Sequence, residues 1–129
     1  MKEDAKQWIK YSEENLEAAK ILLDSNLYNP ALFNIQQSIE KSLKSLFIEY
    51  GIKLKKTHSI GELKNILSDE KIYIELEDDE CDFLDSIYLP TKYPVGSVLP
   101  DFSPDYEITK DCLTIAQKVF EEISDRLTG

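Results

Sequence analysis

Apolar side chains return at three- and four-residue steps along most of this chain, and almost nowhere do they alternate. Ala5, Trp8, Ile9, Ser12, Leu16, Ala19 and Leu23 draw one stripe on a helix expected from about Glu3 to Asp24. Neither proline nor glycine interrupts it. Asn26 suits a left-handed stop, and Asn29-Pro30 reads as a restart: the Asn oxygen caps free amides, and proline has no N–H to leave unpaired in a first turn. A second helix is expected from Pro30 to Tyr50, stopped by Gly51, with Leu32, Ile35, Ile39, Leu43, Leu46, Phe47 and Tyr50 inward. Ser59-Ile60-Gly61-Glu62 has capping-box spacing and predicts a short helix from Ile60 to about Leu67. Glu75 to Leu89 keeps a helical period through Leu76, Phe83, Leu84, Ile87 and Tyr88, and is expected to be a fourth helix. Just upstream, Ile72-Tyr73-Ile74 fits a short strand or a helix lead-in. Pro90, Pro94, Pro100 and Pro104, with Gly96, make residues 90–104 a long irregular loop. The Ser103-Pro104 signal then opens a helix to about Arg126, with Ile108, Cys112, Ile115, Val119 and Ile123 inward.

The pattern predicts an all-α fold: an up-and-down antiparallel helical bundle of four long helices plus one short helix, in a single domain spanning residues 1–129. A composition 42% apolar and 31% charged excludes collagen-like, mucin-like and fully disordered classes. The formal net charge of −10 repels nucleic acid at long range, but leaves room for a local basic groove. Cys81 and Cys112 stand far apart with no CxxC pair, as expected of two reduced, buried or half-buried thiols. The opening MKEDAKQW has no apolar signal region, and no apolar run approaches the roughly 20 residues a bilayer span needs. A cytoplasmic protein with no membrane partner is expected.

Several chemistries lack their residues. A di-metal bundle site needs Glu-x-x-His pairs, and no Glu stands three residues before His58, the only histidine. There is no glycine-rich phosphate loop and no EF-hand. The acidic run at 75–85 reads as a solvated helix face. No metal or cofactor is expected.

One stretch opposes the charge of the whole. From Lys41 to Lys56 there are five lysines and one acid, and the segment ends at His58. Gln37, Lys41 and Lys44 share a helix face, and Glu40 precedes Lys44 by four residues, an order that supports a helix. Three readings stand: a salt-bridged solvated face, an anion pocket, or a buried network of Gln37, Glu40, Lys41 and Lys44 that knits the bundle and is costly unless fully satisfied. His58 either bonds a helix end or serves proton exchange and phosphate contact. Tyr88, Lys92 and Tyr93, braced by prolines, either stack a base and hold a phosphate or pack the loop onto the bundle.

Taken together, these residues resemble a HEPN domain (higher eukaryotes and prokaryotes nucleotide-binding) from end to end. The resemblance rests on the Trp-bearing helix from Trp8 to Leu23, the Leu27–Ala31 turn, and Gln37-Ser38-Ile39-Glu40-Lys41-Ser42-Leu43-Lys44, similar to the family's Gln-x-x-Glu-Lys-x-x-Lys core. It continues through the basic loop with His58 and through Tyr88 and Lys92-Tyr93-Pro94, where the family often has Tyr and then Arg-Tyr-Pro. It implies a helical bundle, often a homodimer, acting beside nucleotides or RNA and often encoded with a small nucleotidyltransferase as a toxin–antitoxin type module. It implies a nucleotide- or anion-binding role for Gln37, Glu40, Lys41, Lys44, His58, Tyr88, Lys92 and Tyr93. Many relatives are metal-independent ribonucleases using an Arg, a short spacer and a His. That pair is absent: Arg126 is the only arginine, three residues from the end, and Lys92 replaces the arginine of Arg-Tyr-Pro. Lysine keeps the charge but loses the planar fork. The expectation is therefore a non-catalytic module that binds nucleotide or RNA, or pairs with a nucleotidyltransferase. The alternatives are a ligand-free interaction or dimerisation scaffold, and a degenerate ribonuclease.

Overall fold

The computed structural model describes the backbone of residues 1–92 and 103–128, and side chains of 1–87 and 103–128. The described chain forms five helices and no strand: α1 (Glu3–Asp24), α2 (Tyr28–Glu49), α3 (Ile60–Asp69), α4 (Asp78–Lys92) and α5 (Tyr106–Thr128). It is a helical bundle, as the periodicity predicts. None of these helices is long and apolar enough to cross a membrane.

α2 is the centre, touching all four other helices. Its apolar stripe packs Leu32, Ile35, Ile39, Leu43, Leu46 and Phe47 into one core with Leu16 and Ala19 of α1, Leu84 and Ile87 of α4, and Val119 and Ile123 of α5. α1 lies antiparallel against it. Lys2 N–H reaches Glu49, Ser12 reaches Ser38 and Asn15 reaches Asn34, so the two helices run past each other. Small buried residues let them approach: Ala5, Ser12 and Ala19 from α1, and Ser38, Ser42 and Ser45 from α2. Ser12 Oγ donates to the Ser38 carbonyl at 2.8 Å, which leaves its lone pairs for the Ser42 and Ser38 hydroxyls at 2.6 and 3.0 Å. The buried hydroxyls thus satisfy one another in a dry seam.

Three helices end alike. A residue in the left-handed region follows the helix, and the next amide donates back across the final turn. Asn26 (φ 61°), Gly51 (φ 69°) and Lys71 (φ 62°) hold the left-handed positions. The returning bonds run from Leu27 to Leu22 at 2.9 Å, Ile52 to Phe47 at 2.8 Å, and Ile72 to Leu67 at 2.9 Å. These bonds satisfy carbonyls that a helix end otherwise orphans. The stops at Asn26 and Gly51 are those the sequence predicts; Lys71 carries no such signal.

Four expectations need correction. α2 begins at Tyr28, not Pro30, with Leu27 at the cap and no side-chain cap bond, so Asn29 lies inside the helix. Tyr50 and Phe83, expected inward, are exposed at 50% and 41%. Tyr50 is the C-cap of α2, where the chain already leaves the helix. α4 starts at Asp78, since the preceding lead-in alternates, with Ile72, Ile74 and Leu76 buried and Tyr73 and Glu75 exposed between them, and it continues past Pro90 to Lys92. Asp105, not Ser103, caps α5 by accepting from Ile108 N–H at 2.9 Å. Of the expected loop, residues 93–102 lie outside the described residues.

A lysine held at positive φ is strained where glycine is not. Lys71→Gly is expected to raise stability by about 0.5–1 kcal/mol, and Gly51→Ala to lower it by about 1 kcal/mol. Urea unfolding of the two variants beside the parent chain checks the opposite signs.

Candidate polar site on the α1–α2 face

Four helices pack on α2, and five of its polar residues are buried: Gln36, Ser38, Glu40, Ser42 and Ser45. Glu40 is 4% exposed. Its carboxylate is held by two cationic or proton-bearing groups from different elements. Lys44 Nζ, one turn along α2, lies 3.0 Å from Oε2, and His58 Nδ1, from the α2–α3 loop, lies 3.0 Å from Oε1. The Lys44 side chain is itself only 12% exposed and its ammonium sits 5.9 Å from the centre of the Trp8 ring. His58 stands open, its side chain 56% exposed. The spacing that suggests a surface ion pair thus becomes a half-buried one once α1 and the α2–α3 loop close around it.

One turn earlier, Lys41 bends toward α1. Its ammonium donates to Asn15 Oδ1 at 2.8 Å and lies 5.9 Å from the centre of the Tyr11 ring. Asn15 donates in turn to Asn34 at 3.0 Å. Two lysines on successive turns of α2 therefore each lie over an aromatic ring of α1, an arrangement worth about 0.5–1 kcal/mol per pair where solvent reaches it. Gln37 is half-buried on the same strip. The structure brings Glu40, Lys44 and His58 into one cluster, with Lys41 beside it. Tyr88 and Lys92 belong to α4, but their side chains, and all of Tyr93, lie outside the described residues.

Sequence reasoning missed five contributors. Trp8, Tyr11 and Asn15 hold the lysines, yet Trp8 enters the sequence reading only through the core stripe and the family resemblance, and Tyr11 and Asn15 do not enter it. Gln36, 1% exposed, donates to the His58 carbonyl at 3.1 Å, which pins the loop that delivers the imidazole. Its Oε1 has no hydrogen-bond partner among the described residues. Asp85 is the fifth. From α4 it accepts the Ser59 hydroxyl at 2.8 Å, Ile60 N–H at 2.8 Å and Gly61 N–H at 3.1 Å. A carboxylate there suits the positive end of α3 and its free amides. Gly61 admits it: an added Cβ would stand 3.3 Å from Asp85 Oδ2. Ser59 caps α3 through Glu62 N–H at 3.1 Å, as expected. The Glu62 carboxylate does not reciprocate; it takes the Thr57 hydroxyl and Lys55, whose hydrogen bonds lower its pKa.

The remaining chemistry is quiet. Burial pushes the Cys81 thiol up to about 11 and Cys112 up to about 12. Both are free and buried. Neither suits a nucleophile, which needs an accessible thiolate. Among the described residues no group of three or more His, Cys, Asp or Glu side chains is placed to hold a metal ion.

Such a five-helix bundle, with a lysine-rich core motif on its second helix, is a HEPN-type architecture. The HEPN domain model matches residues 5–126, and the chain belongs to that family. A Methanocaldococcus jannaschii protein named "Putative toxin MJ1304" is 31% identical over 133 residues, covering 95% of this chain and 88% of that protein. Among solved structures, ST0689, described as an archaeal HEPN homologue, is 26% identical with a TM-score of 0.72 and covers 98% of both chains. TT1696 from Thermus thermophilus is 26% identical with a TM-score of 0.75, covering 96% of this chain and 98% of that one.

Two outcomes follow from the site. Either change leaves a charge without its partner, but Lys44→Ala leaves it on the almost fully buried Glu40 carboxylate, whereas Glu40→Gln leaves it on an ammonium whose flexible stem can swing toward water. Lys44→Ala is expected to cost about 3 kcal/mol, and Glu40→Gln, which keeps hydrogen-bonding capacity, about 1 kcal/mol. Chemical denaturation that ranks them in the reverse order contradicts the buried pair. For the thiols, iodoacetamide at pH 8 is expected to label neither cysteine in the folded chain and both in urea, read by mass spectrometry.

Proposed function

We propose that this chain is a non-catalytic HEPN module of a two-protein, toxin–antitoxin type pair, and that it binds RNA or a nucleotide on the α1–α2 face. The observation that carries the reading is the strip itself. Lys41 and Lys44 lie over Tyr11 and Trp8 and run on to the open imidazole of His58. Cations beside accessible rings suit a phosphate followed by a stacked base. Tyr11 is 45% exposed, leaving the ring available to stack. The relative named as a putative toxin supports the two-protein setting, with a small nucleotidyltransferase as the partner that the family resemblance implies.

A non-catalytic role is supported by the lone arginine. Arg126 donates to the Tyr73 carbonyl at 2.8 Å and approaches Glu122 at 3.9 Å, both away from the α2 strip in sequence and element. A second reading has its own support. Lys44 and His58 already share Glu40, and Lys41 already has Asn15, so the strip also works as internal cross-bracing of a scaffold that docks a protein and no ligand.

The separating experiment is a melting-temperature titration with a short single-stranded RNA and with ATP at low salt. Binding to the folded form is expected to raise the melting temperature in proportion to the logarithm of ligand concentration. Lys41→Ala with Tyr11→Ala is expected to abolish the rise while leaving Glu40 paired. No rise at millimolar ligand rejects the binding reading and leaves the scaffold. Cleavage of the RNA that His58→Ala abolishes would instead establish a ribonuclease.

A further inference from the structure

Away from the α2 strip, a groove of about 440 Å³ lies between the last turn of α1 and the first half of α5. Half-buried Leu113 and Tyr106, 38% exposed, supply apolar wall, and Leu23, 4% exposed, lies at its floor. Three lysines line it, Lys20, Lys110 and Lys118, with Asp24 as the one acidic lining residue; Lys118 also lines the neighbouring groove beside Glu75, Glu77 and Glu80. On a chain of net charge −10 this local excess runs against the whole. The lysines are not consumed by strong internal pairs. Lys110 sits 5.8 Å from the centre of the Tyr106 ring, and neither it nor Lys118 has a carboxylate partner among the described residues. Lys20 meets only Glu17, at 3.1 Å, with both side chains largely in water. Such an exposed pair gives way readily to a competing anion.

We propose that this α1–α5 groove is a second binding site, and that it takes a small aromatic phosphate. The volume lies within the range of about 300–1,000 Å³ typical of small-ligand clefts. A flat ring can lie on Leu113 and against Tyr106, where offset stacking is favourable. The phosphate meets the lysine rim as charge-assisted hydrogen bonds. Neither half suffices: an apolar body without charge leaves the ammonium groups to water, and a bare phosphate leaves Leu113 and the Tyr106 ring uncovered. The site is independent of the α1–α2 strip, shares no residue with it, and does not require that strip to bind anything.

The test is amide-resolved NMR titration of the full chain with phenyl phosphate, with phenol and inorganic phosphate in parallel. Shifts are expected to cluster on residues 20–24 and 106–118, and phenyl phosphate is expected to bind more tightly than either fragment. Charge reversal by Lys110→Glu with Lys118→Glu, both on the solvent side of α5, is expected to weaken binding by about tenfold or more while the spectrum stays folded. Leu113→Ser, which keeps the lysines, is expected to weaken phenyl phosphate but not inorganic phosphate. Equal affinity for phenol or for inorganic phosphate overturns the proposal, as does a shift pattern centred on Lys41 and Lys44. So does the absence of shifts at millimolar ligand.

Discussion

A carboxylate with almost no access to water governs how this bundle is put together. Glu40 sits on the one helix that touches all four others. Withdrawing its charge from solvent costs several kcal/mol unless partners replace the lost hydration. The partners come from two places, Lys44 on the same helix and His58 on the loop beyond it. The second of these is the structural link. To deliver the imidazole, the loop has to pass over α2, and Gln36 fixes it there through the His58 carbonyl. The next residue, Ser59, caps α3 by accepting Glu62 N–H, and Asp85 of α4 accepts the Ser59 hydroxyl and the Ile60 and Gly61 amides. The placement of α3 and α4 thus follows from how one acid on α2 is satisfied.

On the opposite flank the constraint is closeness rather than charge. Ser12, Ser38, Ser42 and Ser45 are buried and small, and their hydroxyls answer one another or a backbone carbonyl. A leucine at any of these sites would push α1 away from α2. That separation would also carry Trp8, Tyr11 and Asn15 away from Lys44 and Lys41. The ring-and-ammonium strip is therefore a consequence of the serine seam beneath it, and the hydroxyls matter to the candidate site without taking part in it.

The elements set by short-range rules were legible in the sequence. α1 spans the residues that its stripe predicts, and Asn26, Gly51 and Ser59 act as stop, stop and cap because their side chains, or lack of one, decide the local conformation. What escaped depends on neighbours distant in the chain. Lys71 adopts the left-handed turn although nothing in a lysine announces it; Ile72 is buried just after, and the core fixes the chain's direction. Asp85 looks like one of several acids on a solvated face until α3 presents its free amides. Asn29-Pro30 carries a start signal, yet the helix begins earlier because Leu27 N–H bonds back to Leu22 and its carbonyl already accepts from Ala31. Glu40 and Lys44 read correctly as a pair, but the sequence leaves open whether it lies on a solvated face or in a buried network, since burial comes from a loop whose path no periodicity reveals.

The buried acid also decides which part of the strip can meet an anion. A phosphate approaching Lys44 also approaches the Glu40 carboxylate, 3.0 Å from that ammonium, and like charges in a partly dry setting repel strongly. Binding there would have to replace the ion pair rather than add to it. Lys41 is different: its partner, Asn15, is neutral, so an anion meets no opposing charge from it, and the exposed Tyr11 ring is at hand. The geometry divides the two lysines that the sequence presents as equivalents. Lys44 is bound into the architecture of α2, while Lys41 and Tyr11 form the edge where a ligand or a partner protein can engage without dismantling the core.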